Sequence, residues 1–106
     1  MGRSGGDNRR HFMRRWEESR GDAHDSWGAS WWYFEVGANR YPTRQIEVYD
    51  DGHVLRYSTD QPFDEYGGLG EEPLDLEEFA PFAITAAAFE AAWSRGVRGG
   101  GSWPAV

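Results

Sequence analysis

The sequence predicts an α+β fold: a small antiparallel sheet of three to four strands, a meander, packed against one C-terminal helix. Three observations carry this. Asp51-Gly52 separates Thr43–Asp50 from His53–Ser58, two runs rich in β-branched and aromatic residues. Asp-Gly in that setting is a strong hairpin signal, because a two-residue type I′ turn needs φ > 0 at both central positions. Upstream, Ala29–Gly37 alternates as a strand does, with Trp32, Phe34 and Val36 on one side and Trp31, Tyr33 and Glu35 on the other. Downstream, Thr85 is an acceptable N-cap for a helix over Ala86–Arg95 that Gly96 ends.

The type I′ turn fixes a register. Tyr49 falls opposite Val54, Val48 opposite Leu55, Glu47 opposite Arg56 and Ile46 opposite Tyr57. Ile46, Val48, Leu55 and Tyr57 then share one face. Glu47, Tyr49, Val54 and Arg56 share the other, with Glu47 and Arg56 as a cross-strand charge pair. Trp32, Phe34 and Val36 are expected to join Ile46 and Val48 in the core. Trp31 and Tyr33 are then left on the opposite face, as an aromatic surface or under a covering loop.

Residues 1–28 are rich in Gly, Arg, Ser and Asp, with few aliphatic side chains, and read as a disordered leader. A short helix within Asn8–Arg20 is the alternative. The domain is expected over 29–96, and 97–106 reads as a flexible tail. Thr59–Pro73 is a long, turn-rich connection, and such loops are often functional. Leu74–Phe79 reads as one helical turn capped by Asp75, and Phe82–Ile84 as an edge strand. In the last helix Phe89 and Trp93, four apart, share a face.

Composition bounds the chemistry. The 106 residues carry a net charge of −7, and residues 31–93 hold three Arg against thirteen acids. So acidic a body repels nucleic acid, whose binding rests on neutralising phosphate. It suits a basic protein partner. Cysteine is absent, which excludes disulfides and thiolate chemistry. No apolar run reaches the roughly 20 residues that span a bilayer, and a cytoplasmic address is expected. His11, His24 and His53 have no metal-ligand spacing. Gly67-Gly68-Leu69-Gly70 lacks the following Lys-Ser/Thr of a phosphate loop. No cofactor, metal or catalytic grouping is expected.

The runs Trp-Tyr-Phe-Glu-Val-Gly, Tyr-Pro-Thr-Arg-Gln-Ile-Glu-Val-Tyr-Asp-Asp-Gly, Glu-Tyr-Gly-Gly-Leu-Gly and Ile-Thr-Ala-x-x-Phe-Glu-x-x-Trp stand in this order. Over about residues 31–93 the chain resembles a family of small bacterial proteins known as a domain of unknown function. The resemblance implies a compact α+β domain and no established activity. Ala86-Ala87-Ala88 departs from the acidic residues common at that helix start, which weakens the charge–dipole interaction there.

The functional expectation is a non-enzymatic protein–protein interaction module, of immunity or antitoxin type in its sharper form. Its contact surface is placed on Asp60, Asp64, Glu65, Glu71 and Glu72 around an anchor, Tyr66, with Trp31 and Tyr33 as the second candidate surface. The alternative is a small-ligand-binding or enzymatic domain using the Gly-rich loop 60–72 and Arg44. The chain is expected to be a monomer, or a weak homodimer through the edge strand Trp31–Val36.

Overall fold

The computed structural model describes residues 9–98. Five strands form one antiparallel sheet: β1 (Arg10–Trp16), β2 (Ser30–Val36), β3 (Pro42–Tyr49), β4 (Val54–Ser58) and, after two others, β7 (Ala83–Ile84). Their order is β4-β3-β2-β1-β7. Strands β5 (Phe63–Asp64) and β6 (Gly67–Gly68) make a separate two-stranded ladder. Two helices follow, α1 (Leu76–Phe79) and α2 (Ala86–Arg98), with 3-10 turns at Asp25–Trp27 and Ala80–Phe82. The α+β class holds; the sheet has more strands than expected and the chain two short helices. No helix among the described residues is long and apolar enough to cross a membrane.

The leader expected over 1–28 is the first correction. Arg10–Trp16 pairs with β2 along its whole length, and its first part also pairs with β7. Phe12 is buried between Phe34 and Phe79. The arginines that made the segment look solvated find acids of the acidic body: Arg14 bonds Glu78 at 2.8 Å, and Arg15 holds Asp50 with two bonds of 3.0 Å. Residues 1–8 of that leader lie outside the described residues.

The hairpin register is the second correction. Val48 faces Val54, Glu47 faces Leu55, Ile46 faces Arg56 and Gln45 faces Tyr57. The loop has three residues, Asp50 to Gly52, closed by the Tyr49 N–H donating to His53 O at 2.8 Å. Only Gly52 has positive φ, at 104°. This is a type I turn followed by a glycine bulge rather than a type I′ turn. Asp51 takes an ordinary φ because its carboxylate accepts from the His53 N–H at 3.0 Å. The one-residue shift moves every β4 side chain to the other face.

The third correction concerns β2. Trp31 faces Val48 and Tyr33 faces Ile46, so Trp31 and Tyr33, not Trp32 and Phe34, share their core. β2 is paired on both sides and offers no edge for a homodimer. A bulge between Glu35 and Val36 accompanies Pro42, which has no N–H for the ladder.

The two faces are thereby defined. Phe89 and Ala92 of α2 pack on Tyr33, Ile46 and Val48, with Met13, Trp31, Val54, Ile84 and, from α2, Trp93 at the margin. Thr85 caps α2, its hydroxyl accepting from the Ala88 N–H at 3.0 Å. The helix runs to Arg98, past the expected stop at Gly96. The rest of the expected tail, 99–106, lies outside the described residues. The opposite face carries three rows across the strands: Phe12, Phe34, Gln45 and Tyr57; Arg14, Trp32, Glu47 and Leu55; Trp16, Ser30 and Tyr49. Two apolar clusters cover its ends. Trp27, with Tyr66 and Leu69, lies over Tyr49, Leu55 and Tyr57. Leu74, with Leu76 and Phe79, lies over Phe12, Phe34 and Val36. Asp75 caps α1, as expected, accepting from the Glu77 and Glu78 N–H groups.

Candidate functional site

Between those two covers the sheet face opens into a cleft of about 310 Å³. Ser30, Trp32, Glu47 and Tyr49 form its floor; Trp16, Arg20 and Tyr66 stand around it. Glu47 is only 4% exposed. Its Oε1 accepts from the Tyr49 hydroxyl at 2.5 Å, and its Oε2 from Gln45 Nε2 at 2.7 Å. Gln45 in turn donates to Gly68 O and accepts from the Gly70 N–H. Burial pushes the Glu47 carboxyl above its ordinary value, and the two hydrogen bonds only partly offset this. A carboxylate has about four lone-pair directions, so two remain open. A buried carboxyl perturbed in this way, in a cleft, is a functional-site candidate on physical grounds.

Arg20 is the cation of the cleft, and it is already occupied. Its Nε bonds both Asp22 oxygens at 3.1–3.2 Å, Nη2 donates to Tyr66 O at 2.6 Å, and Nη1 donates to the Tyr49 hydroxyl at 3.2 Å. Its hydrogen-bonded link to Glu47 runs through that hydroxyl, and its charge also favours the ionised Glu47 carboxylate. Among the described residues no cation forms an ion pair with Glu47 or with Glu18 on the cleft wall.

A second hollow of about 210 Å³ adjoins the first and shares Trp16 and Trp32 with it. Arg14, Phe34 and Phe79 complete its apolar walls. The Arg14 guanidinium sits over Phe79 and Phe82 at 5.0 and 4.7 Å and bonds Glu78. Trp16 is 48% exposed. The Trp32 indole is fixed by its Nε1–H donating to Ser30 Oγ at 2.7 Å.

The sequence-predicted residues divide. Tyr66 lines the cleft and packs on Trp27 and His24. Asp64 is a structural acceptor: one oxygen takes the Tyr57 hydroxyl at 2.9 Å and the Tyr66 and Gly67 N–H groups. Asp60, Glu65, Glu71 and Glu72 are exposed and do not line the cleft. Of the second candidate surface, Tyr33 is 5% exposed and Trp31 packs against the same core beneath α2, with Arg15 over its ring. That face is core rather than a contact surface. The Gly-rich loop is explained by packing. A Cβ on Gly68 would stand 2.9 Å from Pro62 O, inside the β5–β6 ladder.

Arg44 is on the other face of the sheet, away from that loop. It bonds Glu35 at 2.6 and 3.0 Å and also holds Glu90. Thr43 and His11 bond the same Glu35 carboxylate at 2.7 and 3.1 Å. Burial alone would raise the Glu35 carboxyl, but the bonds from Arg44, Thr43 and His11 together hold it down to about 2. This network ties β1, β2, β3 and α2 together. Arg44 also stacks over Phe89 and Trp93. Among the described residues no group of three His, Asp or Glu side chains is placed to hold a metal ion.

Sequence reasoning missed Glu47, Arg20, Trp16 and Trp32. A signal was present: Gln45, Glu47 and Tyr49 alternate with Ile46 and Val48, which puts a polar stripe on one face of a central strand.

No curated protein and no solved structure matches the chain. A family model does, over residues 23–98, and it includes β2, β3, Arg44, Glu47 and the whole β5–β6 loop while starting after β1. The chain therefore belongs to the family described as Domain of unknown function (DUF6881).

Proposed function

We propose that the protein is a non-enzymatic interaction module that receives a basic side chain of a protein partner in the cleft above Glu47. The observation that carries this is the pairing of a buried, unpaired carboxyl with the exposed indole of Trp16 and the fixed indole of Trp32. Carboxylate and aromatic faces together suit a guanidinium or ammonium group, which gains both a charge-assisted hydrogen bond and cation–π attraction. Arg20 is ion-paired with Asp22 at 3.0 Å, which weakens its repulsion of an incoming cation. The exposed acids Asp60, Glu65, Glu71 and Glu72 add a field that speeds encounter with a basic partner. An immunity- or antitoxin-type role, blocking a basic toxin, is the finer form of the same reading. A cytoplasmic setting and a monomeric chain fit it.

The test is an NMR titration of the full chain with N-acetyl-arginine amide, following the Trp16 and Trp32 indole N–H signals. Saturable shifts are expected. N-acetyl-citrulline amide, a neutral analogue of similar shape, should give none, and Glu47→Gln should remove the arginine response. Equal shifts with both compounds, or none with either, would overturn the reading. A catalytic alternative rests on the same raised Glu47 carboxyl, which suits a general acid. It requires Glu47→Gln to abolish a turnover while leaving ligand binding intact.

A further inference from the structure

We infer that the cleft is built for a guanidinium, so that the partner's basic residue is an arginine rather than a lysine. This rests on the cleft reading above and deepens it by naming the side chain. Glu47 is flanked on every side within the sheet face and open above it. Gln45 and Tyr49 precede and follow it by two positions on the same face of β3, so they stand on opposite sides of it, each roughly 7 Å along the strand. Trp32 on β2 and Leu55 on β4 flank it across the sheet. Side chains stand roughly perpendicular to a sheet. The direction left open therefore points away from the sheet, into the cleft that Glu47 helps to floor.

The hydrogen bonds orient the carboxylate within that frame. Gln45 Nε2 donates to Oε2 and the Tyr49 hydroxyl donates to Oε1, so the two oxygens are drawn toward opposite neighbours along β3. Both bonds arrive from the sides. Each oxygen keeps a further lone pair, and the two that remain face the same way, out of the sheet. A guanidinium presents two parallel N–H groups that match such a pair of oxygens and closes both bonds at once. Its weakly hydrated faces can lie against the Trp32 indole, which the bond to Ser30 fixes beside Glu47. An ammonium carries the same charge, but its N–H directions diverge and its water is held more tightly. It can meet the fork squarely with only one bond. Arg20 repels a unit charge of either kind, so the choice rests on shape and hydration.

The experiment titrates the full chain with N-acetyl-arginine amide, N-acetyl-lysine amide and N-acetyl-trimethyllysine amide at one pH and salt concentration, following the Trp16 and Trp32 indole N–H signals by NMR. All three compounds carry one positive charge. The arginine compound is expected to bind more than about fivefold more tightly than the lysine compound, as a further charge-assisted bond would give. The trimethyllysine compound, whose cation has no N–H to donate, should bind more weakly than the arginine compound. A smaller ratio of arginine to lysine affinity, or a trimethyllysine affinity equal to or above that of arginine, overturns the fork and leaves the cation site standing. If none of the three compounds moves those signals, the cation site falls and the fork with it.

Discussion

Val48 stands directly opposite Val54 across β3 and β4, and that pairing is set by Gly52. With φ at 104°, Gly52 occupies a conformation that a β-branched residue adopts only under strain. Space is not the constraint, since nothing lies within 4 Å of where a Cβ would stand. Gly52→Val should therefore cost about 1–3 kcal/mol of conformational strain. Asp51→Asn should be close to neutral, because an Asn side-chain oxygen can accept from the His53 N–H as the carboxylate does. Urea unfolding of the two variants checks this. Equal midpoints would mean that Gly52 does not set the turn.

The same loop shows what was legible and what was not. The hairpin, its strands, the Asp75 and Thr85 caps and the C-terminal helix follow from local chemistry, and local chemistry is readable. The register depended on whether Asp51 or only Gly52 goes to positive φ, a difference of one residue that inverts a strand. In the type I′ register Leu55 and Tyr57 fall beside Ile46 and Val48, whereas in the structure they pack with Trp27 and Tyr49. The strand Arg10–Trp16 was unreadable for another reason. Its arginines are matched by Asp50 and Glu78, which lie 35 and 64 positions away. The cleft depends on β1 and on the facing of β2: Trp16 comes from β1, and Trp32 stands beside Glu47 rather than in the core with Ile46 and Val48.

Phe12 makes the role of β1 testable. It is 3% exposed and packs on Phe79 with ring centroids 5.7 Å apart. Phe12→Ala should cost about 3–5 kcal/mol, the usual range for a buried Phe. Trp16→Ala, at a half-exposed position on the same strand, should cost far less. Thermal unfolding of both variants gives the comparison; a harmless Phe12→Ala would return the strand to the status of an accessory leader.

Glu35 gives the domain an acid limit. Its folded carboxyl is held down to about 2, below the ordinary 4.5, by Arg44, Thr43 and His11 against the cost of burial. A depressed carboxyl contributes stability that is full above about 4.5 and is lost as pH falls toward 2. Wild-type unfolding free energy should fall through that window. Glu35→Gln should flatten this fall. At pH 7 it should also destabilise, near the low end of the roughly 3–5 kcal/mol for breaking a buried pair, because Arg44 keeps Glu90. Urea titrations at pH 3 and pH 7 decide the matter. A variant that shows the full wild-type acid dependence would remove Glu35 as its source.

Glu47 works in the opposite sense. Burial raises its folded carboxyl above the ordinary 4.5, so its contribution is full below that value and is lost as pH rises through the folded one. Wild type therefore carries a penalty at neutral pH that Glu47→Gln lacks. The Gln amide oxygen can still accept from Gln45 Nε2 while its NH2 donates to the Tyr49 hydroxyl oxygen, so the variant should fold. Its stability relative to wild type should improve as pH rises above about 4.5 and through the folded Glu47 titration. A cation bound above Glu47 favours the ionised carboxylate and offsets that penalty. Affinity for N-acetyl-arginine amide should accordingly rise with pH through the Glu47 titration, and the bound state should release a proton in that range. Calorimetry in two buffers of different ionisation enthalpy measures that proton. Tyr49→Phe removes the hydroxyl that donates to Glu47 at 2.5 Å, which should raise the carboxyl further and move the whole affinity profile to higher pH. Binding that is flat with pH in wild type, or a profile that Tyr49→Phe leaves in place, would show that the cation is not held by Glu47.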